Sequence, residues 1–351
     1  MTGVGGATAG EAKPPRPAEH SALGTGSPAA ADGPGDDRDL RAGAAGRPRW
    51  RRVAGGLLAL ALLFAGAVYL YQRRDVLLQH LELRPAVLPL VVLFETVLLV
   101  TRGLLTREVA RPFGVRLRVV EAVNLSSWST LANYLAPLVG GTGVRAVYLK
   151  RQHRLPFSHF LSLQMATYTL HFAITSALGL AALAVLGLPG GAVARLLAVA
   201  FAGVGASCLL VLAAAPRLAV PLRWLPGRLA RRLAPVLDGV VRLRGMRKGR
   251  LVALLLAILL ASAASIHSAF ALVGVPLAPW SALLVATVAA FSVVLSITPA
   301  AFGITESIIV FAAGLVAVAP AVALTAAGIK RLVAVAVVTA GAGLAGLGRR
   351  G

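Results

Sequence analysis

The sequence predicts an all-α polytopic membrane protein with six to eight transmembrane helices and two opposed re-entrant hairpins. Three observations carry this expectation. Of the 351 residues, 58% are hydrophobic and only 14% charged, and the mean hydropathy is +0.80; soluble domains hold roughly 45–50% apolar and about 25% charged residues. The apolar residues come in runs long enough to cross a bilayer, which takes about 20 helical residues. Two of those segments are interrupted by Gly, Pro or polar residues, and the basic residues between runs fall where a hairpin, rather than a crossing, keeps them on one side. A water-soluble globule is excluded.

The elements follow in chain order. Residues 1–46 are dominated by Gly, Ala and Pro with scattered charge. They cannot bury enough apolar surface to offset their ordering entropy, so a disordered cytoplasmic tail is expected. Asp37-Arg38-Asp39 has the Asp-x-Asp form of metal-dependent sugar transferases, but no strand or pocket surrounds it and chance accounts for it. The membrane domain is expected over 47–348. Its apolar segments run at about 53–71, 86–105, 120–139, 157–187, 192–215, 251–273, 280–298, 304–318 and 321–346. The tail before 53–71 is too long for the polar end of a signal peptide, and no clear cleavage site follows, so that segment is expected to stay as an anchor.

Positive charge sets the orientation. Arg47, Arg49, Arg51 and Arg52 precede the first span and hold the N-terminus in the cytoplasm. Arg102, Arg107, Arg111, Arg116 and Arg118 follow the second. Arg145, Lys150, Arg151 and Arg154 follow the polar segment at 120–139, and they remain inside only if that segment dips in and returns. The turns at 188–191 and 274–280 are uncharged and external, whereas 216–250 carries ten basic residues against Asp238 alone. That loop is expected in the cytoplasm, either as a plain loop or as an amphipathic helix on the anionic leaflet. If 280–318 also dips and returns, from the outer face, Arg349-Arg350 is cytoplasmic too. The net charge of +22 is thus read as cytoplasmic loops facing anionic headgroups, and no nucleic-acid partner is expected.

Chemistry is sought where apolar segments break. Non-helical backbone at membrane depth survives only inside protein or along a wet cavity, and paired Gly/Pro-broken segments point to a substrate site near the midplane. The first tip runs from Asn133 to Arg145 through Pro137, Gly140 and Gly141. Its glycines let backbone amides approach an anion, and Arg145 can clamp a phosphate. The plain alternative is a cytoplasmic turn with a snorkelling arginine. The second tip runs from Thr298 and Pro299 to Gly303 and Glu306. A carboxylate flanked by apolar runs needs a cation or a proton, and Arg145, Lys330 and Arg331 are its candidate partners. Lys330-Arg331 breaks the last span about ten residues from its start, too deep for easy snorkelling. Glu95 and Arg102, seven apart, share a helix face. His171 and His267 each stand alone in an apolar helix, where hydrogen-bonded packing is the more ordinary role. Cys208 is the single cysteine, so neither a disulfide within the chain nor a cysteine metal site is expected.

No P-loop, H-E-x-x-H or G-x-S-x-G motif occurs. No cofactor is expected, and any chemistry would be intramembrane.

At these two tips the sequence resembles the transmembrane region of lysylphosphatidylglycerol synthases and their stand-alone flippase-like relatives. The first family pattern is Asn, Leu-Pro, Gly and Arg with a basic pair behind, read here as Asn133, Pro137, Gly140, Gly141, Arg145, Lys150 and Arg151. The second is Thr-Pro-Gly-Gly-x-Gly-x-x-Glu and then an Arg, read here as Thr298-Pro299-Ala300-Ala301-Phe302-Gly303-Ile304-Thr305-Glu306 and Arg331. The likeness covers about 53–346. Ala136 separates the first Leu from its Pro, Ala300-Ala301 replaces the Gly pair, and Gln164, Tyr168 and His171 stand where an acidic–basic pair is common. The resemblance implies a lipid-translocating region without the aminoacyl-transferase domain, which the chain ending at Gly351 is expected to lack.

The leading expectation is a lipid flippase or transporter of the bacterial plasma (inner) membrane, multi-pass with both termini cytoplasmic. The Ala-, Arg- and Gly-heavy composition suits a high-GC bacterium. Its partners would be membrane lipids, an anionic phospholipid or a polyprenyl-linked lipid, and a separate lipid-modifying enzyme. Arg145 with Lys330 or Arg331 would hold the phosphate, with Glu306 balancing them. Two alternatives stand beside it: an enzyme or accessory subunit in polyprenyl-phosphate-sugar or aminoacyl-lipid metabolism, drawing on Glu306, Glu95 or Glu121, and a membrane scaffold acting through 216–250.

Overall fold

Among the described residues the regular structure is entirely helical. The computed structural model describes residues 82–135, 140–187, 191–218, 248–293 and 303–347, with isolated positions at Gly3, Val68 and Gln72. The expected tail, nearly all of 53–71 and most of 216–250 lie outside these residues. The nine α-helices among them are α1 (Leu88–Ala110), α2 (Val119–Leu135), α3 (Gly140–His153), α4 (Phe157–Leu186), α5 (Ala192–Leu218), α6 (Lys248–Leu272), α7 (Pro279–Ala290), α8 (Ile304–Gly314) and α9 (Pro320–Leu347).

Among the described residues, five helical segments are long and apolar enough to cross a membrane: Pro85–Phe113, His159–Leu186, Ala192–Ala214, Lys248–Leu272 and Pro320–Gly343. The chain is a multi-pass membrane protein. The other helices are short, with 17 residues in α2, 14 in α3, 12 in α7 and 11 in α8. At 1.5 Å per residue none of them reaches the ~30 Å of a hydrocarbon core. They pack in sequence-adjacent pairs, α2 with α3 and α7 with α8.

Punctuation in the sequence places these boundaries. α1 gives way to a 3-10 turn at Arg111–Phe113, where Pro112 lacks a donor and Gly114 takes φ +77°. Pro279 starts α7 and Pro320 starts α9, since an N-terminal proline forgoes only an amide that would be unpaired anyway. Gly187, at φ +51°, ends α4.

α1 and α6 run antiparallel and are tied at both ends. At one end the Arg84 amide donates to the Leu272 carbonyl at 2.8 Å; at the other Arg250 Nη1 lies 3.3 Å from Glu108 Oε1. α9 packs against α1, α2, α6 and α8. It therefore touches one member of each short pair. A large apolar core, including Ile266, Phe270, Leu284, Ile309 and Val322, joins α6 to α9 and takes in Phe201 of α5.

Helices in a membrane gain little from burying apolar surface, so close backbone approach matters more. A Cβ on Gly103 would sit 2.8 Å from Val123 Cα, so α1 and α2 meet here at backbone contact. Gly103→Val is expected to force the two helices apart and lower stability by about 1–3 kcal/mol, read as an earlier midpoint in denaturant unfolding of the detergent-solubilised protein; an unshifted midpoint would refute the tight crossing.

Candidate functional site

The charged residues of α9 organise the membrane interior. Successive residues on a helix point about 100° apart, so Lys330 and Arg331 reach different neighbours. Lys330 Nζ lies 2.8 Å from Glu95 Oε1 on α1, and Ser265 Oγ on α6 donates to the same oxygen at 2.6 Å. Arg331 Nε donates to Glu306 Oε1 on α8 at 2.7 Å. The other oxygen, Glu306 Oε2, accepts the Gly303 amide at 2.8 Å. Gly303 is the N-cap of α8 at φ +78°, a conformation that a side chain would strain. The carboxylate side chains are only 7% exposed at Glu95 and 12% at Glu306. Thr305 Oγ1 donates to Ser292 Oγ at 3.2 Å and links α8 back to the turn after α7.

The pair α2–α3 is fastened at both ends. At its base, Glu121 Oε1 accepts from Tyr148 Oη at 2.8 Å and lies 2.9 Å from His153 Nε2. At its tip, the Gly141 amide donates to Asn133 Oδ1 at 2.7 Å, and Ser129 Oγ donates to the Gly141 carbonyl at 2.9 Å. A Cβ on Gly141 would stand 2.5 Å from the Ser129 carbonyl and 2.6 Å from the Asn133 amide group. Gly140 and Gly141 are thus the first residues of α3, and the second lets Asn133 cap that helix from α2.

Arg145 follows one turn later on α3. Its Nε is buried with no hydrogen-bond partner, and it makes no ion pair among the described residues. Arg102 is an exposed residue and carries no ion pair among the described residues. Of the cations Arg102, Arg145, Lys330 and Arg331, the last two pair with the carboxylates Glu95 and Glu306. The surplus resides on Arg102 and Arg145.

Of the residues singled out in the sequence, the structure brings together Gly303, Glu306 and Arg331, and separately Asn133, Gly140, Gly141 and the start of α3 that carries Arg145. Lys330 goes to Glu95 instead of Glu306. Pro137, Thr298 and Pro299 lie outside the described residues. His267 Nδ1 bonds the Leu277 carbonyl at 2.8 Å, a packing role, and no group of three metal-binding side chains occurs among the described residues. Sequence reasoning missed the Glu108–Arg250 tie, the Glu121 clasp and the partnership of Glu95 with Lys330. The one signal available was that a carboxylate in an apolar run requires a cation; which one depends on helix placement. A cleft of about 480 Å³ lies at the end of α1, lined by Arg107, Arg111, Gly114, Val115, Arg116 and Leu117.

A family model described as "Lysylphosphatidylglycerol synthase TM region" matches residues 50–342. No curated protein and no solved structure matches the chain.

Removing one member of a buried ion pair strands its partner, at about 3–5 kcal/mol, whereas replacing both with apolar groups of similar shape is often neutral. Lys330→Met is therefore expected to be strongly destabilising in denaturant unfolding, and Glu95→Leu with Lys330→Met to recover most of the loss. Strict additivity in that double-mutant cycle would disprove the pairing. At the α2–α3 tip, Gly141→Ala is expected to break the Asn133 cap and expose the adjoining chain to limited proteolysis; wild-type protease resistance would contradict the close approach.

Proposed function

The chain belongs to the family of the lysylphosphatidylglycerol synthase transmembrane region, and from that premise we propose that it binds an amphiphilic lipid and moves its headgroup between leaflets of a bacterial inner membrane. The observation that carries this reading is the charge held inside the bundle, where Lys330 and Arg331 pair with Glu95 and Glu306 and the buried Nε of Arg145 has no hydrogen-bond partner. Charges at such depth are expensive, and they mark a substrate path more often than a packing device.

In this reading the two short pairs are re-entrant hairpins that dip from opposite faces, α2–α3 from the cytoplasm and α7–α8 from outside. Their lengths support this, and if 53–71 is a sixth span both termini would be cytoplasmic. Both pairs touch α9, so a tilt of α9 changes access at the two tips together. Asn133, Gly140, Gly141 and Arg145 would serve one tip, Gly303 and Glu306 the other, and Lys330 and Arg331 would supply charge from α9. The substrate is an anionic phospholipid or a polyprenyl-linked lipid, received from or passed to a separate lipid-modifying enzyme. The sequence carries no nucleotide motif, so the lipid gradient, a proton or the membrane potential drives movement; the potential is worth about 2.3 kcal/mol per elementary charge per 100 mV. An enzymatic role finds less support, because Glu95, Glu121 and Glu306 are each engaged by protein partners.

The test is reconstitution in liposomes holding a headgroup-labelled anionic lipid, with a membrane-impermeant quencher added outside. Wild-type protein is expected to expose label beyond the outer leaflet's share, and Arg145→Ala or Glu306→Gln to slow that excess at least about tenfold, the change expected when a charge-assisted contact worth ~1.4 kcal/mol or more is lost. Quenching that stops at the outer leaflet for phosphatidylglycerol and undecaprenyl-phosphate probes alike would sink the proposal.

A further inference from the structure

The lining of the cleft at the end of α1 includes none of the residues assigned to the two tips. It holds three arginines, Arg107, Arg111 and Arg116, and no carboxylate among the described residues. Local structure gathers them. Arg107 and Arg111 stand four apart where α1 runs into its 3-10 turn, so they share a face. Gly114 at φ +77° then turns the chain. Residues 115–118 follow without helix, burying Val115 and Leu117 and leaving Arg116 and Arg118 exposed, the alternation of an extended chain. Val115 and Leu117 join the apolar core of Ala122, Leu125 and Leu149 on α2 and α3, which gives the cleft a fixed apolar wall. Arg107 and Arg116 make no ion pair among the described residues. The buried Glu108 lies 3.3 Å from Arg250 Nη1 and 3.8 Å from Arg111 Nη1, so it answers Arg250 first and Arg111 only in part.

We propose that this cleft seats a paired phosphate, that is, two phosphate groups on one molecule, at the membrane surface. The span Pro85–Phe113 ends at the cleft, so its arginines stand at headgroup level, where basic pockets beside membrane helices take strongly anionic lipids. A loop that only sets orientation leaves its cations scattered in water; here three converge on one cavity against a buried apolar wall. Each guanidinium offers a phosphate a two-point contact. A single phosphodiester carries one negative charge and leaves Arg107 or Arg116 uncompensated, whereas a paired phosphate answers both. The cavity, about 480 Å³, falls within the roughly 300–1,000 Å³ of small-molecule sites. The shared chemistry is the paired phosphate, whether carried by a lipid such as cardiolipin or a polyprenyl diphosphate, or by free diphosphate. Occupancy ties the end of α1 to residues 115–118 and, through their core, to α2 and α3. The site stands whether or not the domain moves lipid.

The experiment offers equal amounts of cardiolipin, undecaprenyl diphosphate and phosphatidylglycerol to purified full-length protein in detergent and counts bound lipid by native mass spectrometry. A parallel series reads the unfolding midpoint with and without inorganic diphosphate. At least one two-phosphate lipid is expected to bind about tenfold or more better than phosphatidylglycerol, and Arg107→Gln with Arg116→Gln to remove that preference. Lysine at both positions keeps the charge but loses the two-point contact, and should retain only part of it. Arg118→Gln takes an exposed charge from the same segment outside the cleft lining, and is expected to change nothing. A lipid preference identifies the lipid as the source. If no lipid is preferred but diphosphate raises the midpoint of wild type and not of the double variant, the free anion is the ligand. Absence of both effects overturns the site, as does an equal loss in Arg118→Gln. Should circular dichroism show the double variant unfolded, Arg116→Gln alone, at an exposed position, carries the test, and an unchanged preference there overturns the site.

Discussion

Two adjacent cations in the middle of an apolar helix place a demand on everything around them. Lys330 and Arg331 sit ten and eleven residues into α9, where neither side chain snorkels easily to an interface. Because neighbours on a helix diverge by about 100°, one partner could not serve both. The structure answers with Glu95 from α1 and Glu306 from α8, the latter anchored in turn by the Gly303 amide. α9 is thereby fixed between a long crossing and a short helix, and Ser265 adds α6 to the same group. Four helices take their relative positions from two ion pairs.

The short helices obey a different constraint. Their breaks leave backbone groups that lipid cannot satisfy, so each end must be closed by side chains. In α2–α3 the base is closed by Glu121 with Tyr148 and His153, and the tip by Asn133 and Ser129 on Gly141. The bare Cα of Gly141 permits that closure, since any Cβ would collide with α2. A tip fastened in this way presents Arg145 from a rigid support.

The ion pairs at Lys330 and Arg331 are internally balanced, so they contribute structure and a polar path more than net attraction.

The sequence by itself determined the class and much of the outline. Its apolar runs define long helices close to where they occur, such as 157–187 against Phe157–Leu186 and 251–273 against Lys248–Leu272, because length and hydropathy are local properties. Gly and Pro located the breaks, and the spacing of Asn133, Gly141, Gly303 and Glu306 carried the family, since turn chemistry and close approach are also local. The tertiary structure alone decided the pairings. Glu95 shares a face with Arg102 in sequence, yet its direct partner is Lys330, 235 positions away. Glu306 had three candidate cations and took Arg331. An ion pair in a low-dielectric interior forms with whichever charge helix packing brings within about 3 Å, and packing depends on contacts spread over the whole bundle rather than on any stretch of the chain.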